Sequence, residues 1–259
     1  MKKIVLSEII RTVLVLVVFC NLSIIALSQE NAISTDERRK AEKAWEALIK
    51  TKGGREKLHS VRNMLTEFNG FAQLNVFPNR VWEFAGPFFG GVSASIYDGT
   101  KSTEIYANET GVTSTRSIDL SDWLVIDRVQ FLLETKWDKP ELLRVTQIKK
   151  DKKVFDVIQA VVGKLRMDFV YEPEEMLVLE VNFYDKNNVL WKKYEFSDYT
   201  EINGIKMPQT FGNKQSYRNL EKLKYAYTKI KFSFNVEYDP QLFERPLKAT
   251  TPDAWKPKQ

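Results

Sequence analysis

From residue 63 onward the chain is a series of short β-branched and aromatic runs separated by turn-forming residues. Candidate turns fall at Pro78-Asn79, Asp98-Gly99, Asn108 to Gly111 and 151–153. Short strands joined by short turns are typical of an antiparallel meander. A sheet of consecutive strands is therefore the main constraint on the fold.

Alternation of apolar residues indicates that this sheet has one apolar side. It is clearest late in the chain, because apolar residues recur at every second position and so share a face. The two sets are Leu177, Leu179, Val181 and Phe183, and Ala226, Ile230, Phe232, Phe234 and Val236.

Two segments have the spacing of helices. Residues 34–52 place Ala41, Trp45 and Leu48 on one face and end at Gly53-Gly54. Residues 119–136 contain no turn residue and are apolar nearly all round, which favours burial. We predict an α+β fold: a curved antiparallel sheet whose concave, apolar face is covered by both helices.

The first 28 residues have the composition of a secretory signal peptide. A basic start precedes an apolar run, and Ala26-Leu27-Ser28 supplies small residues for cleavage. An uncleaved membrane anchor is the alternative. Lipid attachment at Cys20 is disfavoured, since Phe19 stands where a small residue is expected. We expect one domain over residues 29–246, a flexible tail over 247–259 and a periplasmic location.

Export sets limits on the chemistry of the mature chain. Removing residues 1–28 leaves 231 of the 259 residues and no cysteine, which excludes disulfides, thiol catalysis and cysteine metal sites. The formal net charge falls from +5 to +3, because Lys2, Lys3 and Arg11 leave with Glu8. So small an excess does not indicate nucleic-acid binding.

Polar residues that could carry catalysis lack the necessary neighbours. His59 is the only histidine, and no nucleophile motif accompanies it. Glu172, Glu174 and Glu175 flank Pro173 in a turn, where a solvated charge cluster is the usual finding. The basic, tyrosine-containing stretch 214–231 is typical of a lysine-guarded edge strand. We therefore predict no enzyme, cofactor or metal.

The distinctive residues are apolar. In the segment GPFFGG, residues 86–91, two phenylalanines stand among turn-forming residues, where exposure of apolar surface is unfavourable. Other aromatic residues cluster in the first strands and the middle helix. Candidate ligand-binding residues are Phe71, Trp82, Phe84, Phe88, Phe89, Trp123 and Phe131.

Four segments resemble the outer-membrane lipoprotein-sorting proteins of the LolA/LolB-like superfamily. They are ALIKTKGGREKLHSV (47–61), YDG (97–99), FSDYTEINGIKMPQTF (196–211) and NVEYDPQLFERP (235–246). The resemblance implies an unclosed β-barrel with a helical lid and an apolar cavity for acyl chains. Phe88 and Phe89 would then form an apolar lip at the cavity mouth, with ordinary core packing as the alternative.

Two functions follow as hypotheses. The first is a monomeric periplasmic carrier, similar to a chaperone, that holds acyl chains of lipids or lipoproteins and transiently contacts a membrane or membrane protein. The second is a ligand-free interaction or envelope-stress sensing domain with a solid core. Fold alone does not choose between them.

Overall fold

The computed structural model describes residues 33–88, 91–100, 102–107, 114–116, 121–215 and 226–243. The expected signal peptide and the expected tail lie outside these residues. The described helices are α1 (Thr35–Lys52), α2 (Arg55–Ser60) and α3 (Ser121–Leu132), and a 3₁₀ helix covers Pro240–Phe243.

Fourteen strands are described, and each described strand runs antiparallel to the strands with which it pairs. The first six are β1 (Asn63–Phe68), β2 (Phe71–Val76), β3 (Arg80–Phe88), β4 (Gly91–Tyr97), β5 (Ser102–Ala107) and β6 (Ser114–Arg116). The next six are β7 (Glu141–Lys150), β8 (Lys153–Val162), β9 (Leu165–Glu172), β10 (Leu177–Tyr184), β11 (Leu190–Ile202) and β12 (Ile205–Gln215). The last two are β13 (Ala226–Lys229) and β14 (Lys231–Phe234).

Helix α1 begins and ends as its sequence predicts. The Ser34 hydroxyl accepts a hydrogen bond from the Glu37 backbone, and the Glu37 carboxylate accepts one from the Ser34 backbone. At the other end Gly53 has a φ of 139°, which an L side chain rarely adopts. The Trp45 ring packs edge-on against Phe169 of β9, with ring centroids 5.1 Å apart, so α1 covers the sheet.

The strands form two seven-stranded sheets. The first sheet has the order β14-β1-β2-β3-β4-β5-β6, and the second has the order β13-β12-β11-β10-β9-β8-β7. Only Ile230 separates β13 from β14, so the chain passes directly from one sheet into the other. Among the described residues β6 and β7 do not pair, and the sheet stays unclosed. The predicted α+β architecture is confirmed.

The two faces of the first sheet pack into different cores. Met64 lies opposite Phe234 and belongs to the core shared with the second sheet; we call this face the inner face. Leu65, one residue on, lies opposite Leu74 and packs in a separate cluster with Leu242 and Phe243 of the 3₁₀ helix. The first sheet is therefore covered on both sides.

Helix α3 lies between the sheets on the inner face. Its Phe131 ring contacts Phe196 of β11 at 5.8 Å and Phe232 of β14 at 5.0 Å between centroids. The predicted middle helix is thus confirmed, over Ser121–Leu132 within the expected range. It occupies part of the concave space.

The predicted alternation in β10 is wrong at one position. A β-bulge between Val178 and Glu180 shifts the register, so Val178, Val181 and Phe183 enter the core. Leu179 instead lines a groove on the outer face of the second sheet, beside Lys150 and Phe155.

Candidate functional site

Four of the seven predicted ligand-binding residues have described side chains, and these four do not converge on one place. Phe131 lies in the shared core, and Phe71 lies on the inner face opposite Ala85. Phe88 ends β3 and Trp123 lies in α3, but their side chains are outside the description, as is Phe89 altogether.

Trp82 and Phe84 lie on the other face of the first sheet. They are two residues apart on β3 and so point the same way. Their rings stack with centroids 6.2 Å apart, and both are buried in the cluster that the 3₁₀ helix covers. Trp82 lies opposite Leu74 and Ile96, so these two aromatics form a second core away from Phe131.

Aromatic residues lie at one end of the inner face, where the two sheets approach. The Phe68 ring is 4.7 Å from the Phe71 ring and 5.2 Å from the Phe211 ring of β12. Phe211 in turn contacts Tyr194 of β11 at 5.8 Å. Phe68 and Phe71 are only partly buried, although they lie on the inner face.

Polar residues follow on the same face of β2 and β3. Gln73 is two residues beyond Phe71 and lies opposite Glu83. The Gln73 side-chain amide donates a 2.7 Å hydrogen bond to the Glu83 carboxylate. Burial raises the pKa of Glu83, opposed by that hydrogen bond and reinforced by the charge of Asp127.

Asp127 extends this polar region from helix α3. Its carboxylate accepts hydrogen bonds from the amide nitrogens of Asn75, at 3.0 Å, and Gln130, at 2.6 Å. Burial raises the pKa of Asp127, while Asn75 and Lys192 oppose the shift. The site therefore holds two neighbouring carboxylates in a poorly solvated position.

Lys192 of β11 lies on the inner face of the second sheet, near Asp127. Its ammonium lies 4.4 Å from the centre of the Tyr194 ring. Burial lowers the pKa of Lys192, and the attraction of Asp127 opposes the shift. Burial also raises the pKa of the Tyr194 hydroxyl.

We call the partly buried residues of this concave space the inner groove. Its members are Phe68, Phe71, Gln73, Glu83, Asp127 and Lys192. The groove is apolar at one end and charged at the other. Its polar members were missed at the sequence level, although Gln73, Asn75 and Glu83 alternate with Leu74, Trp82 and Phe84, which is the signal of a polar strand face.

His59 takes part in a structural cluster. Its ring nitrogen lies 3.1 Å from the Glu134 carboxylate, which also accepts hydrogen bonds from Trp45, at 3.3 Å, and from Arg55. Arg55 bridges onward to Glu46. Although burial opposes the shift, Arg55 lowers the pKa of Glu134. The cluster ties α1, α2 and the end of α3 together.

Other charged residues are also paired within the fold. The buried Arg128 guanidinium donates two hydrogen bonds to Asp138, at 2.6 and 2.7 Å. Glu172 pairs with Lys153 at 3.2 Å, and Glu174 and Glu175 are exposed in a turn, as expected.

The outer groove of the second sheet, about 340 Å³, is a weaker candidate. Its Glu180 carboxylate accepts a 2.8 Å hydrogen bond from Lys150 and lies 3.5 Å from Lys193. The charge of Glu180 is therefore balanced by lysines of the protein itself.

Two features are absent from the described part of the chain. No cluster of three or more histidine, cysteine, aspartate or glutamate side chains there could hold a metal ion. No helix there combines the length and the hydropathy that crossing a membrane requires.

No protein-family model and no curated protein matches the chain. It is similar to a solved domain from Vibrio parahaemolyticus described as an outer membrane lipoprotein-sorting protein, at 10% identity and a TM-score of 0.42 over 78% of this chain and 97% of that one. It is also similar to a DUF1329 family protein from Desulfovibrio piger, at 11% identity and a TM-score of 0.39 over 84% of this chain and 99% of that one.

A third solved structure is a LolA superfamily protein from Nitrosomonas europaea, at 11% identity and a TM-score of 0.46 over 76% of this chain and 96% of that one. Two of the three descriptions name the class of protein that the sequence resembles. At these scores no ligand and no residue role is transferred from them.

Proposed function

We propose that this protein is an exported carrier that binds an amphiphile, such as a lipid or the acylated part of a lipoprotein, in the inner groove. The observation that carries the proposal is the combination of half-buried aromatic and charged side chains on the concave face of an unclosed sheet. A site of this kind binds and orients a ligand.

The apolar end of the groove suits an acyl chain. Phe68 and Phe71 keep part of their surface exposed while packing against each other and toward Phe211. Covering such surface with hydrocarbon is favourable by about 25 cal/mol per Å². A chain lying along these rings would extend toward Gln73 and Glu83.

The described residues of the segment GPFFGG, 86–88 and 91, lie at this same end of the sheet. Phe71 pairs with Ala85, and Phe88 pairs with Gly91 further along the β3–β4 hairpin, so the hairpin end extends past Phe71. We propose Phe88 and Phe89 as the lip of the groove, Trp123 as a further lining residue and Phe131 as its floor. Trp82 and Phe84 are left out, since they pack in the second core.

Binding, rather than catalysis, is the role that we propose, in the periplasm and as a monomer, after cleavage near Ser28. Residues 29–246 would act as one domain. The groove includes two carboxylates, and side-chain amides hold each in place: Gln73 donates to Glu83, and Asn75 and Gln130 donate to Asp127. The chain could exchange its ligand by transient contact with a membrane or a membrane protein.

Lipid that copurifies with the exported protein tests this function. We expect organic extraction and mass spectrometry to find about one acyl-bearing molecule per chain, and native mass spectrometry to show the same complex. The variant Phe71→Ser should carry at least about tenfold less lipid per chain than the wild type, since the apolar end then carries a hydroxyl.

The matched control is Val154→Ser, because Val154 is an apolar residue exposed on β8, away from the groove. It should retain the lipid. If the wild-type protein carries no lipid and extracts none from phospholipid vesicles, the carrier function is wrong and a ligand-free interaction domain takes its place.

A further inference from the structure

Among the described side chains at the polar end of the inner groove, hydrogen-bond acceptors outnumber donors. Gln73 and Asn75, two residues apart on the inner face of β2, hydrogen-bond to Glu83 and Asp127, so the two carboxylates are neighbours, and both are only partly exposed. Of the two cations that act on Asp127, Arg128 is already paired with Asp138, and Lys192 lies on the facing strand β11. With Glu83, Asp127 and Lys192 all ionised, these three side chains carry one net negative charge.

Two buried amide oxygens add to this surplus. Asn75 and Gln130 are 0% and 5% exposed, and the Asn75 Oδ1 and Gln130 Oε1 atoms have no hydrogen-bond partner. An ionised carboxylate only accepts hydrogen bonds, so both amides must turn their nitrogen toward Asp127. Their oxygens are left beside it without donors, which is costly in a buried site.

Aromatic faces complete the surroundings. Phe71 is two residues from Gln73 on the same strand face, and Tyr194 lies beside Lys192 on the facing wall. Aromatic faces and carboxylates both attract cations. An ammonium group offers charge and N–H donors together.

We propose that the polar end of the inner groove recognises an organic ammonium group, held by Glu83 and Asp127, so that the ligand is an amphiphile with an amine-bearing head group. This inference rests on the proposed function and names the head group of its ligand. The acyl chain would lie over Phe68 and Phe71.

A set of probes with one tail and different heads tests the inference. Dodecylammonium, dodecyl sulfate and dodecyl maltoside share their hydrocarbon chain and differ in head-group charge. Titration calorimetry with the mature exported protein, stripped of lipid and kept below the micelle concentration of each probe, gives their affinities. We expect dodecylammonium to bind at least about tenfold more tightly than either of the others.

A probe without a tail separates a lipid head group from a free amine. Propylammonium has the ammonium group and almost no hydrocarbon. It should bind at least about a hundredfold more weakly than dodecylammonium, because it leaves the aromatic end uncovered. Equal affinity of the two would overturn the amphiphile and point to a small free amine.

Charge-removing variants locate the head group. Glu83→Gln and Asp127→Asn keep the side-chain shape, and each should reduce the preference for dodecylammonium over dodecyl sulfate by about tenfold. Glu67→Gln is the matched control, since Glu67 lies on β1, on the face away from the groove, and should change nothing. Thermal melts show whether each variant is folded. If only one of Glu83→Gln and Asp127→Asn folds, that variant alone is sufficient for the test.

The outcomes separate the two proposals. Tighter or equal binding of dodecyl sulfate, or an unchanged preference in the folded variants, overturns the ammonium inference and leaves the carrier function standing. Failure of all three dodecyl probes to bind overturns both.

Discussion

Lys52 is a buried cation in the last turn of α1. Only 6% of its surface is exposed, and its ammonium lies 5.7 Å from the centre of the Tyr199 ring. Burial lowers the pKa of Lys52 to about 7. Burying the Lys52 ammonium therefore costs folding free energy whenever it is charged.

The sign of the pH dependence follows from this shift. Between the folded pKa of about 7 and the unfolded pKa of about 10.5, the unfolded chain binds more protons at Lys52 than the folded one. The contribution of Lys52 to stability therefore rises with pH across this window, by up to about 1.4 kcal/mol per pH unit. Below pH 7 the full penalty is present.

We predict that Lys52→Met is more stable than the wild type at pH 7 and that this advantage declines toward pH 10. The physical reason is that the methionine carries no charge to desolvate. Denaturant unfolding at a series of pH values measures it. The exposed Lys50→Met is the control, and it should show no such trend. A pH-independent difference for Lys52→Met would contradict the assigned shift.

At the scale of elements, the features that could be predicted from the sequence are those with a local cause. Helix α1 was predictable because Ser34, Glu37 and Gly53 define its two ends. The two-residue period predicted the strands. The bulge after Val178 was not predictable, because one extra residue leaves no signal in an alternating pattern.

The candidate site was harder to predict than the fold, because the sequence does not say which face of a strand is concave. Both faces of β2 and β3 contain large apolar residues: Phe71 lies on the inner face, whereas Trp82 and Phe84 lie on the other. The outer face became a core because the 3₁₀ helix returns from the far end of the chain to cover it. Such a long-range contact has no local pattern.

The segment GPFFGG provides a prediction at the same scale. We expect the double variant Phe88→Ala, Phe89→Ala to lower the free energy of unfolding by less than about 2 kcal/mol. It should weaken dodecylammonium binding at least about tenfold, because a lip that contacts the ligand is lost. Denaturant melts and calorimetry measure the two quantities.

Phe84 on the same strand is the comparison for core packing. It is 4% exposed, and Phe84→Ala should cost roughly 3 to 5 kcal/mol. A loss of that size in the double variant, with unchanged binding, would place Phe88 and Phe89 in the core.

At the scale of the whole molecule, the two sheets share one core, and Ile230 lies where the chain passes from β13 of one sheet to β14 of the other. The Ile230 backbone donates a 2.9 Å hydrogen bond to the Gln209 carbonyl, and its side chain is 3% exposed. Met64 of the first sheet and Phe169 of the second belong to the same buried cluster, which α1 and α3 complete. An unclosed sheet of this kind depends on its helices to hold its halves together.

This arrangement predicts a single cooperative unfolding transition. Met64→Ala should cost about 2 to 5 kcal/mol and Phe169→Ala about 3 to 5 kcal/mol, since both side chains are fully buried. Because each lies in the shared core, both variants should move the same denaturant midpoint, by circular dichroism and by tryptophan fluorescence alike. If Met64→Ala instead produced a separate early transition while the Phe169 region stayed folded, the first sheet would be an independent unit, and the inner groove would lie between two units that open separately.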